Sequence, residues 1–264
     1  MNRPTEDKPD FPYWLVIVLV TGLWLFYQVL SDEVYTLALQ TLAKGIWITV
    51  LVTVVAFAAA SVFGLLIAVA SLSRFLVLRQ AARLYVELIR GVPIIVLLLY
   101  IAFALAPAGV ALWNWSTSWI GLEDVKTRDF PLLWRAVMAL SFAYAAFLAE
   151  IFRAGLQSVD KGQIEAAEAL GLSGWHRFRH IVFPQAFRVI LPSYANDFVA
   201  MVKDSSLVSV LGVADVTQLG KVTAAGNFRY FETYNLVALI YLTMTIGLSL
   251  LLRKIEGRLR SKRR

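Results

Sequence analysis

An all-α, polytopic helical membrane protein is the fold class this sequence predicts, and three observations carry it. Hydrophobic residues fill 59% of the 264 positions and mean hydropathy is +0.68, which leaves too little polar sequence to cover a soluble domain. Several apolar runs approach or exceed the roughly 20 residues that cross a bilayer core. The net charge of +7 is concentrated between and after those runs, a pattern of membrane orientation rather than of nucleic-acid binding. Cysteine is absent, so disulfides and thiolate metal sites are excluded.

Residues 1–12 form a short polar tail of mixed charge. Tyr13 to Leu30 is the first apolar run. No small-x-small cleavage site follows it in Val29-Leu30-Ser31-Asp32-Glu33, so an uncleaved anchor span is expected rather than a signal peptide. Asp32 and Glu33 open an acidic outer linker, which makes 13–43 an added transmembrane helix plus linker. A five-helix core is expected over 44–252. Its first span, Gly45 to Leu72, has small residues from Ala56 to Ser61 and at Gly64, which let helices approach closely in lipid. The next runs from about Val92 to Leu105, with Pro93 near its start, where proline is tolerated or bends the helix. Residues 107–130 read as a loop whose Trp113, Trp115 and Trp119 suit interfacial anchors. Leu132 to Phe152, Val189 to Val213 and Tyr234 to Leu252 complete the spans, and 253–264 is a basic tail suited to anionic headgroups.

Lysine and arginine give the orientation. Four lie in 73–90 (Arg74, Arg79, Arg83 and Arg90), four around the central polar loop (Lys161, Arg177, Arg179 and Arg188), and seven in the tail against Glu256. The alternate loops hold none in 31–43, two in 107–130 and two in 214–233. Six spans with both termini in the cytoplasm satisfy this bias, and the central loop falls on the cytoplasmic side.

That loop, Gln163 to Ala186, is neither a span nor a featureless connection. Asp160 and Gln163 have the spacing of a capping box, Ile164 to Leu170 are mostly helix formers, and Gly171 suits the residue just past a helix end. Ser173 is placed to cap a second short helix, which Pro184 is expected to interrupt. The reading is a helix–turn–helix knob over about 160–186, exposed to water as a docking element.

Glu165-Ala166-Ala167, Gly171 four residues after Ala167, then Ile181 and Pro184 resemble the cytoplasmic EAA loop of ABC importer membrane subunits. FLAEIFRAGLQSVDKGQIEAAEALGLS (Phe147 to Ser173), NDFVAMVKDSSLVSV (Asn196 to Val210) and YVELIRGVP (Tyr85 to Pro93) are similar to the polar amino acid uptake branch of that family. The resemblance runs from roughly Gly45 to the C-terminus. It departs at Phe183, where the family usually has Leu. It implies a type I ABC importer permease-like transmembrane domain with no cofactor of its own, ATP and Mg being held by partner ATPases. It also implies a cytoplasmic ABC ATPase dimer, a second permease subunit, identical or homologous, and a periplasmic amino acid-binding protein. In that frame Glu165 makes the polar contact to the ATPase, Ala166 and Ala167 permit close approach, and Gly171 and Pro184 shape the dock.

Other charged and polar residues admit plainer roles. Asp197, Lys203 and Asp204 interrupt the fifth apolar region. An ionised group at mid-bilayer costs about 2.5–3.5 kcal/mol on insertion scales, so they are expected to avoid lipid. They either line a substrate pathway with Ser205 and Ser206 or form an internal ion pair. Glu87 with Arg90 and Glu150 with Arg153 have helix-surface pair spacing. His176 and His180 lack a third ligand for zinc. Phosphate-loop, zincin and nucleophile-elbow motifs are absent, so ATP hydrolysis belongs to another chain. The expected function is the permease subunit of an ATP-driven importer of polar or charged amino acids in a bacterial inner membrane. An ion-driven secondary carrier or channel using Asp197, Lys203 and Asp204 is the alternative.

Overall fold

The computed structural model describes residues 13–261, and every regular element among them is helical. Helix α1 (Tyr13–Ser31) packs against α2 (Glu33–Ser71) and α11 (Tyr230–Ser261). Between them run α3 (Leu76–Gly91), α4 (Ile94–Tyr100), α5 (Ala106–Thr117), α6 (Leu132–Gln157), α7 (Lys161–Ala169), α8 (Gly174–Arg177), α9 (Phe183–Asp204) and α10 (Val216–Asn227). Among the described residues four helices are long and apolar enough to cross a membrane: Glu33–Ser71, Ile94–Ile120, Leu132–Gln157 and Tyr230–Ile255. Helix α9 has comparable length but carries Arg188, Asp197, Lys203 and Asp204.

Helix α6 is the centre. Two-thirds of its apolar window is buried, against a third or less for the other three spans. Its alanines make this possible: Ala136, Ala139, Ala143, Ala145, Ala146 and Ala149 are all buried. Opposite them on α2, a Cβ on Gly64 would stand 2.9 Å from Leu148 Cβ and 3.0 Å from the Ala145 carbonyl oxygen. Small residues thus bring the two backbones into direct contact, the form of packing lipid-embedded helices rely on. Around this seam a core gathers Val52, Phe57, Leu98, Leu140, Tyr144 and Met201.

The segment read as an outer linker is helical. Asp32 ends the first helix and caps the second, its Oδ1 accepting from the Val34 N–H at 2.8 Å. From there α2 runs unbroken for 39 residues, roughly 58 Å at 1.5 Å per residue, about twice the hydrocarbon core. Its buried residues explain the continuity. Tyr35, Ala38, Leu42, Gly45, Thr49, Val52 and Ala56 recur at intervals of three and four, one face of a helix. The N-terminal part of that face joins Val216, Leu236, Val237 and Ile240 in a second core.

The third span also differs from expectation. Its helix starts at Ile94, after α3 ends at Gly91 and the chain runs extended through Val92 and Pro93. It continues past Leu105 to Thr117, so the tryptophan-bearing segment is largely helix. A π-helical turn, Ile101–Leu105, lies inside it, and a second one, Phe178–Val182, joins α8 to α9. Both end two residues before a proline, Pro107 and Pro184. A helical proline clashes with the carbonyl four residues back, which here is Phe103 or His180, within the π turn in each case. Widening the helix at that carbonyl relieves the clash.

Past the end of α5 the loop over 118–131 is fastened by Arg135. Its Nε donates to the Phe130 carbonyl at 2.8 Å, one terminal nitrogen to the Ala102 carbonyl at 3.2 Å, and the other to the Thr127 carbonyl.

Candidate functional site: the polar knob and the charged helix α9

The knob is built on a locked base. Asp160 caps α7, with its Oδ1 accepting from the Gln163 N–H at 3.3 Å. The reciprocal half of a capping box is not made, because the Gln163 side-chain oxygen instead accepts from Gln185 Nε2 at 2.6 Å. That bond ties α7 to α9 across 22 residues. Beneath it Val159, Ala167 and Ala186 are buried. Gly155, near the end of α6, lies so close to Ile190 and the Ala186 carbonyl that any side chain there would collide.

Helix α7 ends as expected. Gly171 adopts φ +75°, its N–H donates to the Glu168 carbonyl at 2.9 Å, and the Leu172 N–H donates to the Ala167 carbonyl at 3.1 Å. This is the Schellman closure, which favours glycine. Space around Gly171 is open, so backbone conformation alone demands it. Arg177 forms an ion pair with Glu168 that fastens α8 to α7.

The second half of the knob corrects the sequence reading. Pro184 does not interrupt a short helix. It sits in the first turn of α9, and the one-turn α8 passes into α9 through the π turn. The knob is therefore one short helix, a glycine turn, and the N-terminal extension of α9.

Of the expected docking residues, Glu165 is exposed and makes no bond to another described residue, while Ala166 is exposed beside it. Ala167 is only 2% exposed; it packs inward, so close approach from outside falls to Ala166 alone. Pro184 is half-buried. The apolar part of the surface was missed. Leu170, at 81% exposure, caps the tip. Trp175, Phe178, Phe183 and Phe187 form a ladder, with successive ring centroids 6.0, 5.9 and 5.7 Å apart. Phe178 and Phe183 are five apart in sequence yet adjacent in space, as expected where a π turn, closed by i to i+5 bonds, separates them. An exposed apolar patch of this kind marks an interaction surface. His176 and His180 stack at 5.9 Å, each with its Nδ1 bonded locally, to Ser173 Oγ and to the His176 carbonyl oxygen respectively.

In the fifth helix the charges separate. Asp204 accepts a hydrogen bond from the Tyr144 hydroxyl at 2.7 Å, joining α9 to the central helix. Asp197 is half-buried and Lys203 exposed, and no ion pair links them among the described residues. Ser205 is fully buried, and its hydroxyl donates to the Val202 carbonyl at 2.7 Å. That bond turns it back onto its own helix. Sequence reasoning missed Tyr144, whose partner lies 60 residues away. It also missed Asp215, read as part of a polar outer loop but fully buried. Asp215 caps α10 through the Gln218 N–H at 2.8 Å and accepts from the Tyr241 hydroxyl at 3.0 Å.

Residues 60–261 match the family model described as binding-protein-dependent transport system inner membrane component. The chain belongs to that family. This inner membrane component is 36% identical over 216 residues to the probable amino-acid permease protein YxeN of Bacillus subtilis, covering 81% of this chain and 89% of that one. It is 35% identical over 223 residues to the glutamine transport system permease protein GlnP of Escherichia coli K12, covering 84% and 94%. Among solved structures, a crystal structure of an amino acid ABC transporter with histidines superposes with a TM-score of 0.69 at 35% identity, covering 83% of this chain and 94% of that one. An inward-facing MetNI methionine ABC transporter reaches a TM-score of 0.64 at 18% identity, covering 83% and 96%, a likeness of fold alone. The fold is that of type I ABC importer permeases.

Proposed function

We propose that this chain is the membrane-spanning subunit of an ATP-driven ABC importer for polar or charged amino acids, with the knob as the handle by which a separate ATPase moves it. The observation that carries the reading is the knob: an exposed acidic and aromatic surface on a base locked to α6 and α9. A grip on such a surface is passed to the spans as a rigid-body displacement, because packed interiors do not deform gradually. The amino-acid substrate class is drawn from the relatives' names. The ion-driven carrier has no comparable support.

In this reading both termini and the knob face the cytoplasm. Two ATPases holding ATP and Mg dock around Glu165, Ala166 and Leu170, and a second copy or sister permease completes the pathway. A periplasmic binding protein delivers substrate, and anionic lipid meets the basic tail. Asp197 and Asp204, with Tyr144, are the residues of α9 and α6 assigned to the pathway; Lys203 is its cationic member.

Detergent pull-down of the chain expressed with its ATPase tests this. Co-purification of an ATP-hydrolysing partner, lost with Glu165→Arg, is expected. An unchanged complex in Glu165→Arg overturns the docking role.

A further inference from the structure

Two pairs that the sequence suggests separately meet at one place. Arg90 does not pair with Glu87; its guanidinium lies 4.0 Å from Glu150 and over the Phe147 ring at 5.7 Å. Arg153 grips both oxygens of Glu150, at 2.9 and 2.6 Å, and donates to Gln157 at 2.9 Å. Glu150 and Arg153 are thereby satisfied. They form one wall of a cavity of about 360 Å³ between the last turns of α2, the middle of α3 and the last turns of α6. The opposite wall presents Arg83 and Glu87, one turn apart on α3, neither bonded to another described residue. Arginine preceding glutamate at i, i+4 is the less favourable order for a helical pair, so both remain available to the cavity.

We infer that this cavity binds a free zwitterionic α-amino acid from the cytoplasmic side, with Arg83 receiving the carboxylate and Glu87 the ammonium. A lone guanidinium and a lone carboxylate on positions roughly 5–6 Å apart match a ligand whose two charges are two bonds apart. A simple anion meets repulsion from Glu87, and a simple cation from Arg83. The cavity also touches Ser71, at the C-terminal end of α2, the negative end of the helix dipole, which favours an ammonium. A lipid headgroup fits less well. At 100° per residue the exposed Val77, Leu84 and Leu88 lie roughly 150° around α3 from the cavity-facing side, so the helix turns its lipid-compatible face elsewhere. The volume falls at the lower end of ligand pockets, about 300–1,000 Å³. The site is separate from Asp197 and Asp204.

The inference rests on the import reading, since delivered substrate accumulates on this side. A ligand held on α3 and filling the gap against Ala149 and Arg153 would restrain α6 about two turns before the knob begins, and so slow the cycle when product is abundant. The test uses the complete transporter in vesicles with ATP inside. Whichever polar amino acid empty vesicles take up fastest is then loaded inside at millimolar concentration, and initial tracer uptake is measured. Loading should slow the native transporter several-fold and leave Arg83→Gln and Glu87→Gln unaffected, with uptake into empty vesicles the same for all three. If loading does not slow the native protein, or slows both variants equally, the site is refuted while import stands. Slowing that follows the phosphatidylethanolamine content of the vesicles instead of their internal amino acid also refutes it. If empty vesicles take up no polar amino acid, the import reading fails and this one with it.

Discussion

Glu165 and Glu168 lie three residues apart on the same short helix, but only Glu168 is engaged, by Arg177. Replacing Glu168 should therefore loosen the knob, whereas replacing Glu165 should leave its shape intact and remove a contact to something outside the chain. Glu165→Ala is expected to leave the melting temperature essentially unchanged while weakening ATPase co-purification. Gly171 makes the converse case. An alanine there meets no neighbour, so the whole cost is the left-handed backbone, about 1–2 kcal/mol. Gly171→Asn should be milder than Gly171→Ala in the same pull-down, because asparagine tolerates that conformation. Asp160 and Gly171 were legible from sequence because caps are local: donor, acceptor and φ lie within a few residues. Tyr144, Arg135 and Asp215 were not, since each becomes meaningful only through a partner on another element. The burial of Ser205 and Ala167 was not legible for the same reason; residue type does not say which way a side chain turns. At Tyr144 the prediction is direct. Tyr144→Phe deletes the hydrogen bond to Asp204 and should cost about 1.5–3 kcal/mol, as bonds to charged groups do, read as a lowered melting temperature in detergent.

Among the elements, α2 was the most misjudged, although its evidence lay in the sequence. The charges Asp32 and Glu33 drew attention to a linker, while the three-and-four repeat from Tyr35 onward marked a helix face that continues without a break. Gly45 is where that face comes closest to α10. A Cβ there would stand 2.6 Å from the Val216 backbone nitrogen and 2.7 Å from the Asp215 carbonyl carbon, and backbone cannot step aside as a side-chain tip can. Gly45→Ala should thus cost about 1–3 kcal/mol by overpacking, checked by thermal unfolding. The two proline-associated π turns were not readable. Proline predicts trouble for a helix, but whether the chain breaks, kinks or widens depends on what packs around it. Arg135 holds the loop after α5 through the Phe130 and Thr127 carbonyls and ties it to Ala102. Arg135→Leu should therefore expose residues 118–131 to protease cleavage under conditions where the native chain resists.

At the scale of the whole molecule, composition and charge were enough for the class: an all-helical membrane protein, with four of its spans plain by length and apolarity. Helix α9 fails that simple test because it carries Arg188, Asp197, Lys203 and Asp204. The motif from Glu165 to Pro184 pointed to the family that the chain belongs to. What composition cannot give is assembly, because a handle is defined by the hand that holds it. The absence of cysteine makes that testable without background. A single cysteine at Leu170, the exposed tip of the knob, should react with a membrane-impermeant thiol reagent in inside-out vesicles and not in right-side-out ones, and should be shielded once the ATPase is bound. Labelling from the outside, or equal labelling with and without the ATPase, would contradict the account.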